Sequence, residues 1–379
     1  EVDLTVYFCW DFGIKKESLD AEFGKKIKWD IPLLERYKYN FLKNFSLKPS
    51  SNFWGQINPG IIKELILRTS DVQGLKNYDA ILIFGWNSFT NWLAFFTAFL
   101  ARTPVLLRGE NPLNQELSKK KWKIRLKKII LGWLFKHISA FLYIGEENKK
   151  FYQFYGVPEE KLFFAPYAVD NTRFINEARN LKSQISNLKN NLGIDQNTIV
   201  ILFVGKLIEK KRPFDLLKAF ELLNSKFCIL NSSLVFVGDG ALRSELKKYI
   251  ENNGIKNVHF VGFKNQTELP EYYTLSDIFV LPSGEGETWG LVVNEAMCFR
   301  LSIIVSDKVG CGPDLIRQDE NGYIFPFGDI DKLAEYLADF IKNPEKRKEF
   351  GKKSFEIIQN YGYENDIKAI FEALWYNRR

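Results

Sequence analysis

In the segment 285-EGETWGLVVNEAM-297, two of the carboxylates, Glu287 and Glu295, have seven residues between them. A Trp-Gly pair and an apolar run fill the gap. An acid inside such a run is costly unless something binds it. Glu287 falls in a polar, glycine-containing loop, and Glu295 about one turn into a helix begun at Gly290. From those places each can accept from a pair of hydroxyls. Upstream, 205-GKLIEKKRP-213 sets Lys206 and Lys211 five apart in a short loop that leads into a helix begun by Pro213. Gly205 lets backbone approach closely. Two cations beside a helix N-terminus make a phosphate or diphosphate site. The amides near Trp289, Gly290 and Leu291, just after Thr288, open a second helix and have no intrahelical acceptor. Taken together, these groups describe a receptor for a nucleoside diphosphate sugar. Taken singly they have plainer readings: a basic loop, two solvated helix glutamates, and at 238-GDG-240 ordinary turn chemistry.

These residues need elements to carry them. The second half alternates apolar, β-branched runs with helical patterns. Strands are expected at 198–206, 233–240, 258–263, 277–283, 302–307 and 322–327, with helices at 213–223, 241–253, 268–275, 290–298 and near 313–317, and two or three more closing the chain. Such βα repeats build a parallel sheet covered on both faces. The first half is noisier. Strands are expected at 2–9, 80–85, 104–109, 140–145 and 162–168, and helices at 60–69, 88–101, 119–136 and 147–155. The expected organisation is α/β, with two Rossmann-like doubly wound domains facing each other across a cleft. Residues 1–170 form the first domain, 171–197 a polar linker with one helix, 198–361 the second domain, and 362–379 a closing helix. Ligands of such sheets bind at the carboxyl ends of the strands.

Composition narrows the class. The chain has 379 residues, enough for two ordinary domains. No apolar run reaches the length of a membrane span; 92-WLAFFTAFL-100 reads as a buried helix. No signal peptide is visible. Cys9, Cys228, Cys298 and Cys311 lack metal-ligand spacing and read as reduced, in a cytoplasmic setting. Residues 1–170 carry all of the net charge of +7. Much of it lies in 118-SKKKWKIRLKK-128, with seven basic residues in eleven. That run is open to three readings: a solvated helix face, contact with anionic lipid headgroups, or contact with a phosphorylated acceptor. Nucleic acid is disfavoured, because no recognition motif accompanies it.

The motifs around Glu287 and Glu295, with 306-SDKVGCGPDLI-316 and 321-NGYIFPFGD-329 downstream, resemble the retaining nucleotide-sugar glycosyltransferases of family 4, which have the GT-B fold. The resemblance is specific over about 195–345 and looser before it. It implies transfer of a hexosyl group from a nucleotide diphosphate sugar to an acceptor hydroxyl, with retention and without a metal or cofactor. Lys206 and Lys211 would stabilise the leaving diphosphate. Glu295 would bind the ribose, Glu287 the sugar hydroxyls. A front-face mechanism, in which the diphosphate takes the acceptor proton, needs no protein base. Phe263 is expected beside the nucleobase or in the core. Asn87, Arg108 and Glu110, at carboxyl ends of first-domain strands, are acceptor-side or donor-side candidates, with a loop ion pair as the alternative for Arg108 and Glu110. The 362–379 helix resembles the family's closing helix, which crosses back to the first domain. Synthesis of a surface polysaccharide or lipid-linked glycan, at the inner face of the cell membrane, suits the basic first half.

Three departures from the family pattern stand out. Glu1 opens on what resembles the family's second strand, so the first βα unit is expected to be missing, through a removed leader or truncation. Lys206 stands where arginine is commoner, keeping charge but losing the bidentate fork. Arg300 and Ser302 replace the usual Gly and Pro, and Arg300 is strained if that position requires a positive φ. Rival readings are an epimerase or phosphorylase on the same fold, and a non-catalytic protein that holds a nucleotide sugar or glycan. His137 and His259 both read as structural, which disfavours the epimerase, and no signal marks a phosphorylase's lysine-bound cofactor.

Overall fold

The computed structural model describes residues 2–66 and 78–376. The first elements in chain order are β1 (Thr5–Phe8), β2 (Ser18–Asp20), β3 (Lys25–Ile27), β4 (Lys38–Phe41) and α1 (Gly60–Ile66). The helix expected to 69 thus extends into residues outside the described ones. There follow β5 (Ile81–Phe84), α2 (Phe89–Leu100), β6 (Val105–Arg108), α3 (Leu113–Leu117), α4 (Lys121–Lys136), β7 (Ala140–Tyr143), α5 (Glu146–Phe154) and β8 (Leu162–Phe164). The second half holds α6 (Asn171–Leu181), α7 (Ile185–Asn191), β9 (Ile199–Val204), α8 (Pro213–Ser225), β10 (Ser232–Val237), α9 (Arg243–Asn253) and β11 (Val258–Gly262). It continues through α10 (Leu269–Thr274), β12 (Ile278–Leu281), α11 (Leu291–Cys298), β13 (Ser302–Ser306), α12 (Gly312–Leu315) and β14 (Gly322–Phe325). Three helices close the chain: α13 (Ile330–Lys342), α14 (Pro344–Ile358) and α15 (Tyr363–Tyr376).

The chain divides into two units. Among the described residues, those up to Ser18, Pro32–Pro166 and from Glu364 onward form the first; Leu19–Ile31 and Tyr167–Tyr363 form the second. In the first unit β5-β6-β7-β8 make a parallel sheet in sequence order, and β1 pairs separately with β4. Its core gathers Phe95, Ala98, Leu107, Leu134, Phe141 and Tyr152 from strands and helices alike. The Ser88 hydroxyl caps α2 by accepting from Asn91 N at 3.2 Å, as an N-cap serine should. Ala369 and Ala373 of α15 pack on Leu106, Ala140, Leu142 and Ala165, where small side chains let helix and sheet come close.

In the second unit β11-β10-β9-β12-β13-β14 form one parallel sheet. Its four inner strands are buried over almost their whole length on both faces, as parallel strands between helix layers must be, and the edge strand β11 is half-buried. Numbered from β9, the order is 3-2-1-4-5-6, and it reverses between β9 and β12. Residues 171–197, expected as a linker, instead build α6 and α7 within this unit. Phe174 of α6 is buried edge-on against Tyr273 and Phe299. The buried Lys189 of α7 donates to the carbonyls of Gln196 (3.0 Å) and Thr198 (2.8 Å). The polar composition hid this, because a few well-placed apolar residues suffice when a lysine's charge is capped by carbonyls.

Arg300 has φ 61°, the left-handed backbone the sequence comparison anticipated. Its guanidinium lies 4.2 Å from the centre of the Phe355 ring, a contact that offsets part of the strain. A very tight backbone approach lies beside the end of β9. Gly238 has φ 138°, and a Cβ there would fall 1.9 Å from the Gly205 carbonyl oxygen. Gly238→Ala must therefore push two strand ends apart. It is expected to destabilise the protein by about 3 kcal/mol, the combined scale of backbone strain and overpacking, seen as a lowered urea midpoint.

Candidate donor site at the strand-order reversal

Where neighbouring strands send their crossovers to opposite faces, the loops at their carboxyl ends diverge and leave a crevice. Here those are the loops after β9 and β12, which carry Lys206–Arg212 and Ser283–Gly290. Their backbones are tied together where Gly284 N donates to Lys210 O at 2.8 Å. The β9 loop is a tight one. Lys211 N donates to Ile208 O (3.0 Å), and Arg212 takes φ 51° before Pro213 opens α8. The Arg212 guanidinium clamps the buried Asp215 carboxylate with two bonds, 2.9 and 2.8 Å, which holds that turn.

The turn delivers the Lys211 ammonium to the Glu287 carboxylate, and the two form a close ion pair. Glu287 is buried. Sequence reasoning assigned both residues to the site but did not foresee that they meet. Thr288 O crowds Gly310, and Cys311 N donates to Trp289 O at 3.0 Å, so the loop is braced from the β13 side. Trp289 is buried and its indole N–H donates to Asn294 Oδ1 at 2.8 Å. Gly290, at φ 99°, is the N-cap of α11, and Leu291 is the first helical residue. That conformation favours glycine, and a Cβ would meet Leu281 Cδ2 at 2.9 Å.

Glu295 lies deeper than expected. It is buried on α11 and accepts from the Tyr273 hydroxyl of α10 at 2.7 Å. Burial raises its pKa; the hydrogen bonds from Tyr273 and Gln266 and the charge of Arg173 oppose the rise without cancelling it. Arg173 is itself fixed on Gln266, at 2.9 Å to the carbonyl and 2.8 Å to the side-chain oxygen. Sequence reasoning missed Tyr273, Gln266 and Arg173. Nothing local marks them, since they come from α10, its approach and α6.

Lys206, after Gly205 at the end of β9, is ion-paired with Asp20 (3.0 Å) and Glu22 (2.6 Å) of the β2–β3 turn. Burial works against its charge, but the Glu22 and Asp20 carboxylates outweigh it and raise the lysine's pKa. Phe263, just past β11, meets Phe23 edge-on at 5.1 Å between ring centres. It is neither simply core nor open. The Gly-Asp-Gly turn also has partners: Asp239 pairs with Lys25 (2.7 Å) and Arg243 (2.8 Å). Segment Leu19–Ile31, assigned by sequence to the first domain, thus belongs to the second unit.

In the first unit, Asn87 and Glu110 are exposed past the ends of β5 and β6. Arg108 corrects an expectation. It is buried, paired with Asp366 of α15 at 2.6 Å, and donates to Pro166 O at 3.2 Å. The guanidinium anchors the closing helix to the sheet end, which accounts for its burial without any ligand. The ion pair it makes reaches a partner 258 residues away, which no reading of the loop could supply.

Residues 184–356 match the family described as Glycosyl transferases group 1. That stretch is similar to the family, and the fold is GT-B, as the sequence resemblance implied. Similar proteins include Spore coat protein SA of Bacillus subtilis, 30% identical, with 54% of this chain and 55% of that protein covered. The UDP-Gal:alpha-D-GlcNAc-diphosphoundecaprenol alpha-1,3-galactosyltransferase of Escherichia coli is 28% identical, over 74% of this chain and 71% of that one. Against the first of these, and against the N-acetyl-alpha-D-glucosaminyl L-malate synthase of Bacillus anthracis, the chain spans about half the relative's length. Among solved structures, Anabaena HepE in complex with UDP superimposes with a TM-score of 0.70 at 20% identity, covering 89% of this chain and 86% of that one.

The raised Glu295 pKa has a measurable consequence. A group whose folded pKa exceeds its unfolded value contributes stability below the unfolded value, lost as pH rises through the folded one. Stability should therefore fall from about the ordinary glutamate value of 4.5 upward, through Glu295's own titration. Glu295→Gln keeps an acceptor for Tyr273 and carries no charge. Urea denaturation at a series of pH values should show this part of the slope gone in the variant.

Proposed function

We propose that the protein is a retaining, metal-independent glycosyltransferase of family 4, moving a hexosyl group from a nucleoside diphosphate sugar to an acceptor hydroxyl. One observation carries this reading: the two loops at the strand-order reversal bring Lys211 and Glu287 together, with Lys206 on the same β9 loop. Lys206 and Lys211 would meet the leaving diphosphate, where charge develops as the glycosidic bond breaks. Glu287 would accept from sugar hydroxyls and, through its ion pair, hold Lys211 in place. Glu295 would take the ribose hydroxyls on the carboxylate that Tyr273 now binds. The diphosphate oxygen itself would take the acceptor proton. HepE, whose fold this is, binds UDP and UDP-glucose, which supports a nucleotide-sugar donor.

The test is calorimetric titration with UDP, GDP and ADP and their sugar conjugates. One nucleotide should bind selectively. Lys211→Ala should weaken it at least tenfold, and Glu295→Ala should weaken it as well. Glu287→Ala should spare the free nucleotide yet abolish transfer. Full transfer by Glu287→Ala would remove that residue from the mechanism.

The acceptor we propose is a lipid-linked or surface glycan, reached at the cytoplasmic face of the membrane. No helix among the described residues is long and apolar enough to cross a membrane. Helix α4 suits the membrane surface instead. Leu131, Leu134 and Phe135 bury one face. At helical spacing on the opposite face, Trp122, Leu126, Ile129, Ile130 and Trp133 are exposed, Ile129 by 72% and Trp122 by 61%. Lys119 and Lys127 are taken up by the buried Glu116, at 2.8 and 2.7 Å. Lys120, Lys121, Lys123, Arg125 and Lys128 remain exposed beside the stripe. An apolar stripe with cationic flanks fits an anionic lipid interface. The protein should sediment with phosphatidylglycerol vesicles and weakly with phosphatidylcholine ones, and Trp122→Ser/Ile129→Ser should reduce binding at least tenfold. Concentration-dependent dimerisation without vesicle binding would show that a second copy covers the stripe.

A further inference from the structure

The turn between β2 and β3 places two acids and a ring on residues assigned to the donor. Asp20 and Glu22 hold the Lys206 ammonium at 3.0 and 2.6 Å, and the Phe23 ring lies 5.0 Å from it. The same ring packs on Phe263, beside the expected place of the base. Lys25 reaches Asp239 at 2.7 Å, after β10. Farther along, Asn265 donates to Lys28 O at 2.7 Å, and the Thr267 hydroxyl bonds Asp30. The segment thus follows the carboxyl edge of the sheet from β9 past β10 and β11.

We propose that the segment Leu19–Ile31 is a displaceable strap over the donor site, with Asp20 and Glu22 standing on Lys206 where a nucleoside diphosphate would place its phosphates. The inference rests on the reading of Lys206 as a diphosphate cation. One ammonium already neutralised by two carboxylates cannot also neutralise a diphosphate, and the carboxylates repel the incoming anion. Donor and strap therefore exclude each other, and the free energy of donor binding includes release of the strap. Release costs most at the Lys206–Asp20 pair, whose side chains are 23% and 13% exposed, and least at Glu22, 61% exposed, where solvent screens the charge. The turn itself has its own support. Asp20 Oδ1 accepts from Glu22 N (2.9 Å) and Phe23 N (3.1 Å), and Gly24 N donates to Asp20 O at 2.8 Å. The strap can therefore leave Lys206 as a folded hairpin. Such a device couples donor loading to a change in the chain on the rim of the site.

Asp20→Asn/Glu22→Gln keeps the acceptor in the turn and removes both charges. Titrated with UDP, GDP and ADP, the double variant should bind its nucleotide at least tenfold more tightly than the parent. Trypsin supplies a second readout, since Lys25, Lys26 and Lys28 lie in the strap. Nucleotide should speed cleavage there in the parent, and the double variant should be cleaved quickly without it. Binding by the variant alone would also support the strap. If the parent binds nucleotide and the variant binds equally or more weakly, or if nucleotide protects Lys25–Lys28 from trypsin, the segment is a wall of the site and the strap is wrong while the donor reading stands. If neither protein binds any of the three nucleotides while both melt cooperatively, the donor reading fails and the strap falls with it.

Discussion

The proposed donor site depends on a reversal of strand order. Six parallel strands need crossovers on both faces of the sheet, because each crossover is right-handed and the sheet must be covered twice. Starting at β9, the chain adds strands outward in one direction and then returns to add β12, β13 and β14 on the other side. The loops after β9 and β12 therefore leave toward opposite faces. Side chains on both can converge there. Lys211 and Glu287 are 76 positions apart in sequence and form an ion pair for this reason.

The backbone around that point is correspondingly specialised. Gly238 sits against the Gly205 carbonyl, Arg212 and Gly290 take left-handed conformations, and Arg212 is clamped to Asp215. Strain of this kind persists only where surrounding packing over-determines it. The cores on either side supply that packing: Phe203, Phe236, Leu216 and Leu246 below the β9 loop, and α13 against α8. Arg300 is a separate case. It carries left-handed backbone at the end of α11 with a ring contact as partial relief, away from the lysines, and nothing in the site uses it.

The site is rich in charges that are already paired. Lys211 has Glu287, Lys206 has Asp20 and Glu22, Asp239 has Lys25 and Arg243, and Glu295 has Tyr273. A ligand for such a site does not enter a field of free cations. It exchanges one set of anions for another, and specificity then resides in the difference between the two sets. On the proposed donor reading, the acids beside the lysines belong to the recognition chemistry, whether they remain in contact with the ligand or give way to it.

Much of the second unit was legible in the sequence. Its six apolar runs fall on the six strands, because a strand buried on both faces must be apolar throughout and so announces itself. Gly205, Lys206, Lys211, Glu287, Gly290 and Glu295 were marked by loop chemistry at strand ends. In 171–197 one helix was legible where there are two, and their packing into the second unit was hidden, because their burial rests on isolated residues such as Phe174 and Lys189. Pairings were not legible at all. Arg108 with Asp366, Lys206 with Asp20 and Glu295 with Tyr273 join positions that share no local pattern. Periodicity and turn chemistry are properties of neighbouring residues, so the sequence by itself determined the elements and the loops that could bear charge. Which charges meet depends on how distant segments pack, and only the tertiary structure decided that.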